Sequence, residues 1–148
     1  MRRIPFFYCA LGLATFIVTL PLPAATGPTP GPIARYATTD AFETVVEDLM
    51  LAIQGQGLVV DHVSHIQEML DRTGKDLGTP KPVYRAAKAF SFCSATVSRR
   101  MMEANAHHIA FCPYTIAVYV LPQEPGRVYV AYRRPPATAD KKSGAALK

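Results

Sequence analysis

Two stretches near the C-terminal end leave the chain little choice of architecture. Residues 115–121 read TIAVYVL and residues 128–132 read VYVAY, both dominated by β-branched and aromatic side chains. Between them stand Pro122 and the pair Pro125-Gly126, residues that break strands and favour a reversal of direction. Two strands joined by so short a connection pair antiparallel, as a hairpin, because a parallel pair needs a long crossover. An isolated hairpin is marginal in water. The rest of the chain must therefore supply more strands and a cover for one face.

That supply is present upstream. Over residues 87–93, Ala87, Ala89, Ser91 and Cys93 alternate with Lys88, Phe90 and Phe92, the period of a strand. Residues 58–63 (LVVDHV) form a shorter β-branched run, and residues 33–37 a first strand. The clearest helix covers residues 40–53, where Phe42, Val45, Val46, Leu49, Met50 and Ile53 recur at the spacing of one apolar face. Asp40 with Glu43 three residues later reads as a capping box at its start. Gly55 and Gly57 supply residues able to take positive φ, so the helix stops there. A brief helix over 66–70 leads into a breaker-rich loop over 74–82, and Ser94 can cap a helix running to about residue 104 with Val97 and Met101 inward. The order β-α-β-(α)-β-α-β-β predicts an α+β fold: one small sheet, antiparallel or mixed, of about five strands, with two to three helices on one face.

The ends read differently. Arg2 and Arg3 precede residues 4–22, which carry no charge. A basic start, an apolar run and small residues make a secretory signal, while the length of the run also borders on a spanning helix. Residues 1–25 are accordingly expected to be a signal peptide or a membrane anchor, residues 26–32 a Pro/Gly linker, residues 33–134 one α+β domain, and residues 135–148 a disordered tail. The expected location is periplasmic or otherwise extracytoplasmic, soluble or held by residues 4–22. The formal charge of +5 belongs to these ends. Residues 35–132 hold nine Lys/Arg and ten Asp/Glu, a net of −1, and a folded nucleic-acid binder would carry its basic patch on the domain itself. No nucleic-acid partner is expected.

The chemistry-bearing residues gather in one window. Cys93 and Cys112 bracket Met101, Met102, His107 and His108, with Phe92 and Phe111 next to the two cysteines. If the strands holding this window are antiparallel neighbours, the cysteines meet at one end of the sheet; if parallel, a strand length separates them, beyond the roughly 7 Å Cα limit for a bridge. Three readings follow. Thiolate, thioether and imidazole would suit copper or haem iron, with Cys93, Cys112, His107 and His108 as the cofactor-binding set and Cys93, Cys112 and Met102 as the metal set. No C-x-x-C-H is present, so covalent haem is excluded and non-covalent haem b stays open. Adjacent residues point apart, so at most one of the two histidines serves a given ion. Alternatively the cysteines form a disulfide or sit unliganded in the core of a structural or interaction domain. In the third reading Cys93, at a helix start, is the thiol of an enzyme. Catalysis is otherwise poorly provided for: Ser91, Ser94 and Ser98 lack a nucleophile elbow, and Asp61 beside His62 is a dyad in sequence only.

The succession also resembles a known family. The opening Asp40-Ala41-Phe42-Glu43-Thr44-Val45, the turn Gly57-Leu58-Val59-Val60, the run from Ile109 through Phe111-Cys112-Pro113-Tyr114 to Tyr119, and the closing Val128-Tyr129-Val130-Ala131-Tyr132 together are similar to domain of unknown function 302. The resemblance implies a small α+β domain, a homodimer, and no particular activity. Phe92-Cys93-Ser94 stands where many members have Gly-Asn-Pro, and Cys112-Pro113 where they have Leu-Pro, which looks like an exported, cysteine-bearing branch. Taken together, the expectation is an exported, non-catalytic binding module with its site near Cys93 and Cys112.

Overall fold

The chain is built around the expected hairpin. The computed structural model describes residues 31–135 and Ala145; the signal or anchor segment, the linker as far as Pro30 and the remainder of the tail lie outside the described residues. Strands β1 (Ile33–Thr38), β2 (Val59–Ser64), β3 (Ala86–Cys93), β4 (Tyr114–Val120) and β5 (Val128–Arg133) form one sheet in the order β1-β5-β4-β3-β2. Every neighbouring pair is antiparallel. The open choice between an antiparallel and a mixed sheet thus resolves to antiparallel. Among the described residues, no helix is long and apolar enough to cross a membrane.

Register decides which side chains share a face. Val118 stands opposite Lys88 and Val130, Val120 opposite Ala86 and Val128, and Phe90 opposite Ile116. Onto this face helix α1 (Phe42–Gly55) lays Val45 and Val46, which form the core with Phe90, Val118, Val120 and Val128. Phe90 and Val118 are fully buried, and burial of side chains of this size contributes about 1.5–3 kcal/mol each. Lys88 ties helix to sheet: its Nζ lies 3.1 Å from Glu43 Oε2 and sits over the Phe42 ring, 5.5 Å from the centroid. The other face carries alanines (Ala87, Ala89, Ala117, Ala131) around a tyrosine layer. Tyr119 and Tyr129 are opposed in the hairpin and stack at 5.3 Å, Tyr84 meets Tyr119 edge-on, and the Arg35 guanidinium lies over Tyr129.

Helix α1 begins differently from the capping-box expectation. Ala41 is its N-cap, with no side-chain capping bond. Asp40 instead accepts a hydrogen bond from the Thr38 hydroxyl, closing the turn out of β1, and Glu43 is directed to Lys88. Competition from a long-range cation and a local turn overrides the local motif. The helix ends as expected: Gly57 has φ of 72°, and the amides of Gly57 and Leu58 reach back to the Gln54 and Ile53 carbonyls. Helix α2 (Ile66–Asp76) runs a full turn and more beyond the brief helix expected, straight through Gly74. Its stop is Gly78, at φ 69°, with Gly78 and Thr79 amides on the Lys75 and Gly74 carbonyls. Between β2 and β3 the register shifts at Asp61, which separates it from His62 in the ladder.

Candidate functional site

The window from Cys93 to Cys112 lies at the end of the sheet where β3 stops and β4 starts. Cys93 is the last residue of β3, and the Ser94 hydroxyl accepts a hydrogen bond from the Val97 amide, capping helix α3 (Ala95–Ala104) as expected. A 3-10 helix (Ala106–Phe111) follows where no element was foreseen. Asn105 starts it, its side chain accepting from the His107 amide at 3.0 Å. Cys112 then leads through a cis peptide bond to Pro113 and into β4. Because β3 and β4 are antiparallel neighbours, the outward and returning chains meet, and Cys93 and Cys112 are joined as a disulfide with 6.4 Å between Cα atoms.

The remaining candidate ligands are not gathered around it. His108 is buried at 7% exposure, its ring against Phe111, and its Nδ1 lies 3.0 Å from the Met101 carbonyl. A carbonyl can only accept, so Nδ1 carries the hydrogen. His107 is exposed and Met102 half-buried, whereas Met101 is wholly buried and takes a hydrogen bond from the Tyr114 hydroxyl at 3.4 Å. Met101 and His108 are thus the small core that roots α3 and the 3-10 helix on the sheet. Among the described residues, no three of His, Cys, Asp and Glu stand together as a metal site. Of the predicted set, only Cys93 and Cys112 come together, and they do so by bonding to each other rather than presenting two thiolates. The Ser98 hydroxyl lies 3.6 Å from Cys112 Sγ.

Beside the disulfide opens a cleft of about 230 Å³ walled by Phe92, Phe111, Tyr114, Ile116 and Tyr132. Phe92 and Tyr114 are paired across β3 and β4 with ring centroids 6.3 Å apart, and Tyr132 stacks on Tyr36 at 6.4 Å. The hydrogen bond that the Tyr36 hydroxyl donates to Tyr132, then desolvation, raises the Tyr36 phenol above its ordinary value. Phe92 and Phe111 were flagged in the sequence as neighbours of the cysteines. Ile116 and Tyr132 were not, although the hairpin register places them opposite one another; pairing the two strands residue by residue would have found them. Arg133 and Arg134 also line the cleft, and among the described residues no carboxylate does. A second, polar hollow, toward the other end of β3, lies between Glu43, Lys88, His65 and Glu68.

The comparisons with known proteins agree with this architecture. The family described as domain of unknown function DUF302 matches residues 34–147. The chain belongs to the DUF302 family. A solved structure of similar fold is the crystal structure of an uncharacterised conserved DUF302 protein from Bacillus stearothermophilus, with a TM-score of 0.58 over 70% of this chain and 74% of that one. The two are 17% identical, so the likeness is one of fold alone. No curated protein matches the chain. Membership of DUF302 accounts for the sheet and its helices, and leaves the chemistry of the site to be argued from its own residues.

Proposed function

We propose that this DUF302 protein is an exported, non-catalytic binding module that holds a small apolar ligand in the cleft beside the Cys93–Cys112 disulfide. The observation that carries the reading is the cleft itself: five apolar or aromatic walls drawn from β3, β4, β5 and the 3-10 helix, at the end of the domain fixed by a covalent link. Its volume of about 230 Å³ falls just below the roughly 300–1,000 Å³ of pockets for drug-sized ligands. A single ring or a short chain suits it better than a macrocycle such as haem b. With each sulfur bonded to the other, the pair offers no thiolate to copper or haem iron, so the disulfide supports a structural role for Cys93 and Cys112. A disulfide also fits an oxidising compartment, and so agrees with export through the segment of residues 4–22. The homodimer implied by the family remains a proposal of its own, tested by sedimentation of the exported chain.

The test of the binding reading uses a neutral fluorescent probe, N-phenyl-1-naphthylamine, titrated into the exported chain. Saturable enhancement is expected at one site per chain. Phe111→Ala, which removes one wall, should weaken it several-fold, while Leu51→Ala, on the exposed side of α1, should leave it unchanged. An unsaturable signal, or equal loss in both variants, would count against the cleft.

A further inference from the structure

We infer that the Cys93–Cys112 disulfide is a redox latch: a small dithiol that opens it frees α3 and the 3-10 helix from the sheet, and with them one wall of the cleft. The release of the segment stands on the fold alone, whereas its effect on binding rests on the reading of the cleft as a site. Three observations converge. First, the segment between the two cysteines is a unit apart. The main core is drawn from α1, β2, β3, β4 and β5 and holds no residue of this segment. The amides of Ser98, Asn105, His108 and Cys112 bond to the carbonyls of Ser94, Met101, Asn105 and Ile109, all within the stretch that the disulfide closes. Helix α3 and the 3-10 helix pack on each other more than either packs on any strand. Toward β4 the segment is tied by the Tyr114 hydroxyl on Met101 Sδ, a neutral bond to a weak acceptor.

Second, the segment carries a wall of the cleft. Phe111 belongs to it, whereas Phe92, Tyr114, Ile116 and Tyr132 stand on strands of the sheet. The Phe111 ring rests on His108 of the same segment, and its neighbour in the chain is Cys112. Opening the bond loosens this wall and leaves the other four on the ladder. Third, the bond is within reach and is provided for when it breaks. Cys93 and Cys112 are both half-buried, and Ser98 Oγ lies 3.6 Å from Cys112 Sγ. A disulfide sulfur carries no hydrogen, so the hydroxyl is the donor. In the exchange, one thiolate of the dithiol attacks Cys93 Sγ, the bond between the two protein sulfurs breaks, and Cys112 leaves as a thiolate facing the Ser98 hydroxyl. A hydrogen bond to an ionised acceptor is the stronger kind, and a thiolate so stabilised leaves faster. The second thiolate of the reductant then attacks the mixed disulfide and frees Cys93. The protein gains two electrons and two protons, and the dithiol is oxidised to its own disulfide.

Amide hydrogen exchange of the exported chain, oxidised and then reduced with dithiothreitol, tests the release. Residues 95–111 should exchange about tenfold faster once reduced, while β4 and β5 keep their protection. On the same samples the neutral naphthylamine probe should bind several-fold more weakly in the reduced chain, and oxidised glutathione should restore its affinity. The double variant Cys93→Ser with Cys112→Ser should show both changes with no reductant present. Ser98→Ala should slow reduction several-fold, and Ser98→Thr, which keeps the hydroxyl, should return it to the wild-type rate. Exchange over 95–111 that ignores reduction would overturn the latch. So would exchange that rises equally in β4 and β5, because the bond would then be a staple of the whole domain. Faster exchange with an unchanged probe affinity would overturn control of the cleft. Absence of probe binding in both states would overturn the cleft as a site, and its control with it, while the exchange result alone decides the release.

Discussion

Gly74 owes its place to the carbonyl of a residue beyond its own helix. The last turn of α2 folds back so that the Thr79 amide bonds to the Gly74 carbonyl, and a Cβ at 74 would stand 2.8 Å from the Thr79 oxygen. In an open helix, alanine would gain about 1 kcal/mol over glycine. Here the contact is with backbone, which cannot swing aside, so Gly74→Ala is expected to lose about 1–3 kcal/mol in denaturant unfolding. Gly55 is the control. It has nothing within 4 Å of its would-be Cβ and lacks positive φ, so Gly55→Ala should gain about 0.4–1 kcal/mol. The same result for both glycines would show that propensity rather than contact governs position 74. Tyr119 supplies a prediction in pH. Burial raises its phenol above the ordinary 10.0, and the nearby Arg35 only partly opposes this. A folded-state pKa above the unfolded one favours folding fully below about pH 10, and that contribution is lost as pH climbs toward the folded value. Tyr119→Phe should therefore flatten the alkaline fall in stability, measured by urea unfolding between pH 8 and 11. An unchanged alkaline limb would place the titration elsewhere.

At the level of elements, the disulfide fastens one excursion. Cys93 and Cys112 stand 19 positions apart in sequence, and between them lie α3 and the 3-10 helix, whose own core is little more than Met101, His108 and the Tyr114 hydroxyl. Closing a loop of this length removes entropy from the unfolded chain worth about 3 kcal/mol. Cys93→Ser and Cys112→Ser should each lower unfolding stability by roughly 2–4 kcal/mol, and the double variant by little more than either. Simple addition of the two losses would mean that the sulfurs act independently. Reduction of the wild-type chain should reproduce the single-variant loss. These elements also mark how far the sequence could be read. The hairpin, the apolar face of α1 and the Ser94 cap were legible because each is set by neighbours within a few residues. The start of α1 was not, because Glu43 answers to Lys88, 45 residues away. Gly74 was misread as a breaker because only the folded turn shows what it accommodates. The cysteine pairing was conditional on strand order, which no local pattern reveals. The arginines of the cleft were invisible as site residues because they follow the last apolar run and entered only in the charge of the chain's ends.

The whole molecule has a polarity that these parts share. Gly31 and Pro32 are held by Arg134, β1 begins opposite the end of β5 through Ile33 and Arg133, and the same end of the sheet carries Cys93, Cys112 and the cleft. The described chain therefore enters and leaves beside its candidate site. If residues 4–22 direct export, the domain folds where thiols are oxidised, and the disulfide and the apolar run have one explanation. Two measurements on the same cells examine this. A C-terminal reporter active only outside the cytoplasm should be active, and alkylation of the freshly lysed, denatured chain should find Cys93 and Cys112 blocked until a reductant is added. Replacing Arg2 and Arg3 by glutamate removes the basic start on which a secretory signal depends, and should turn the reporter off and leave both thiols open to alkylation in the cytoplasm. A silent reporter with blocked cysteines would separate the two properties. The disulfide would then have formed without export, and the apolar run would need another role.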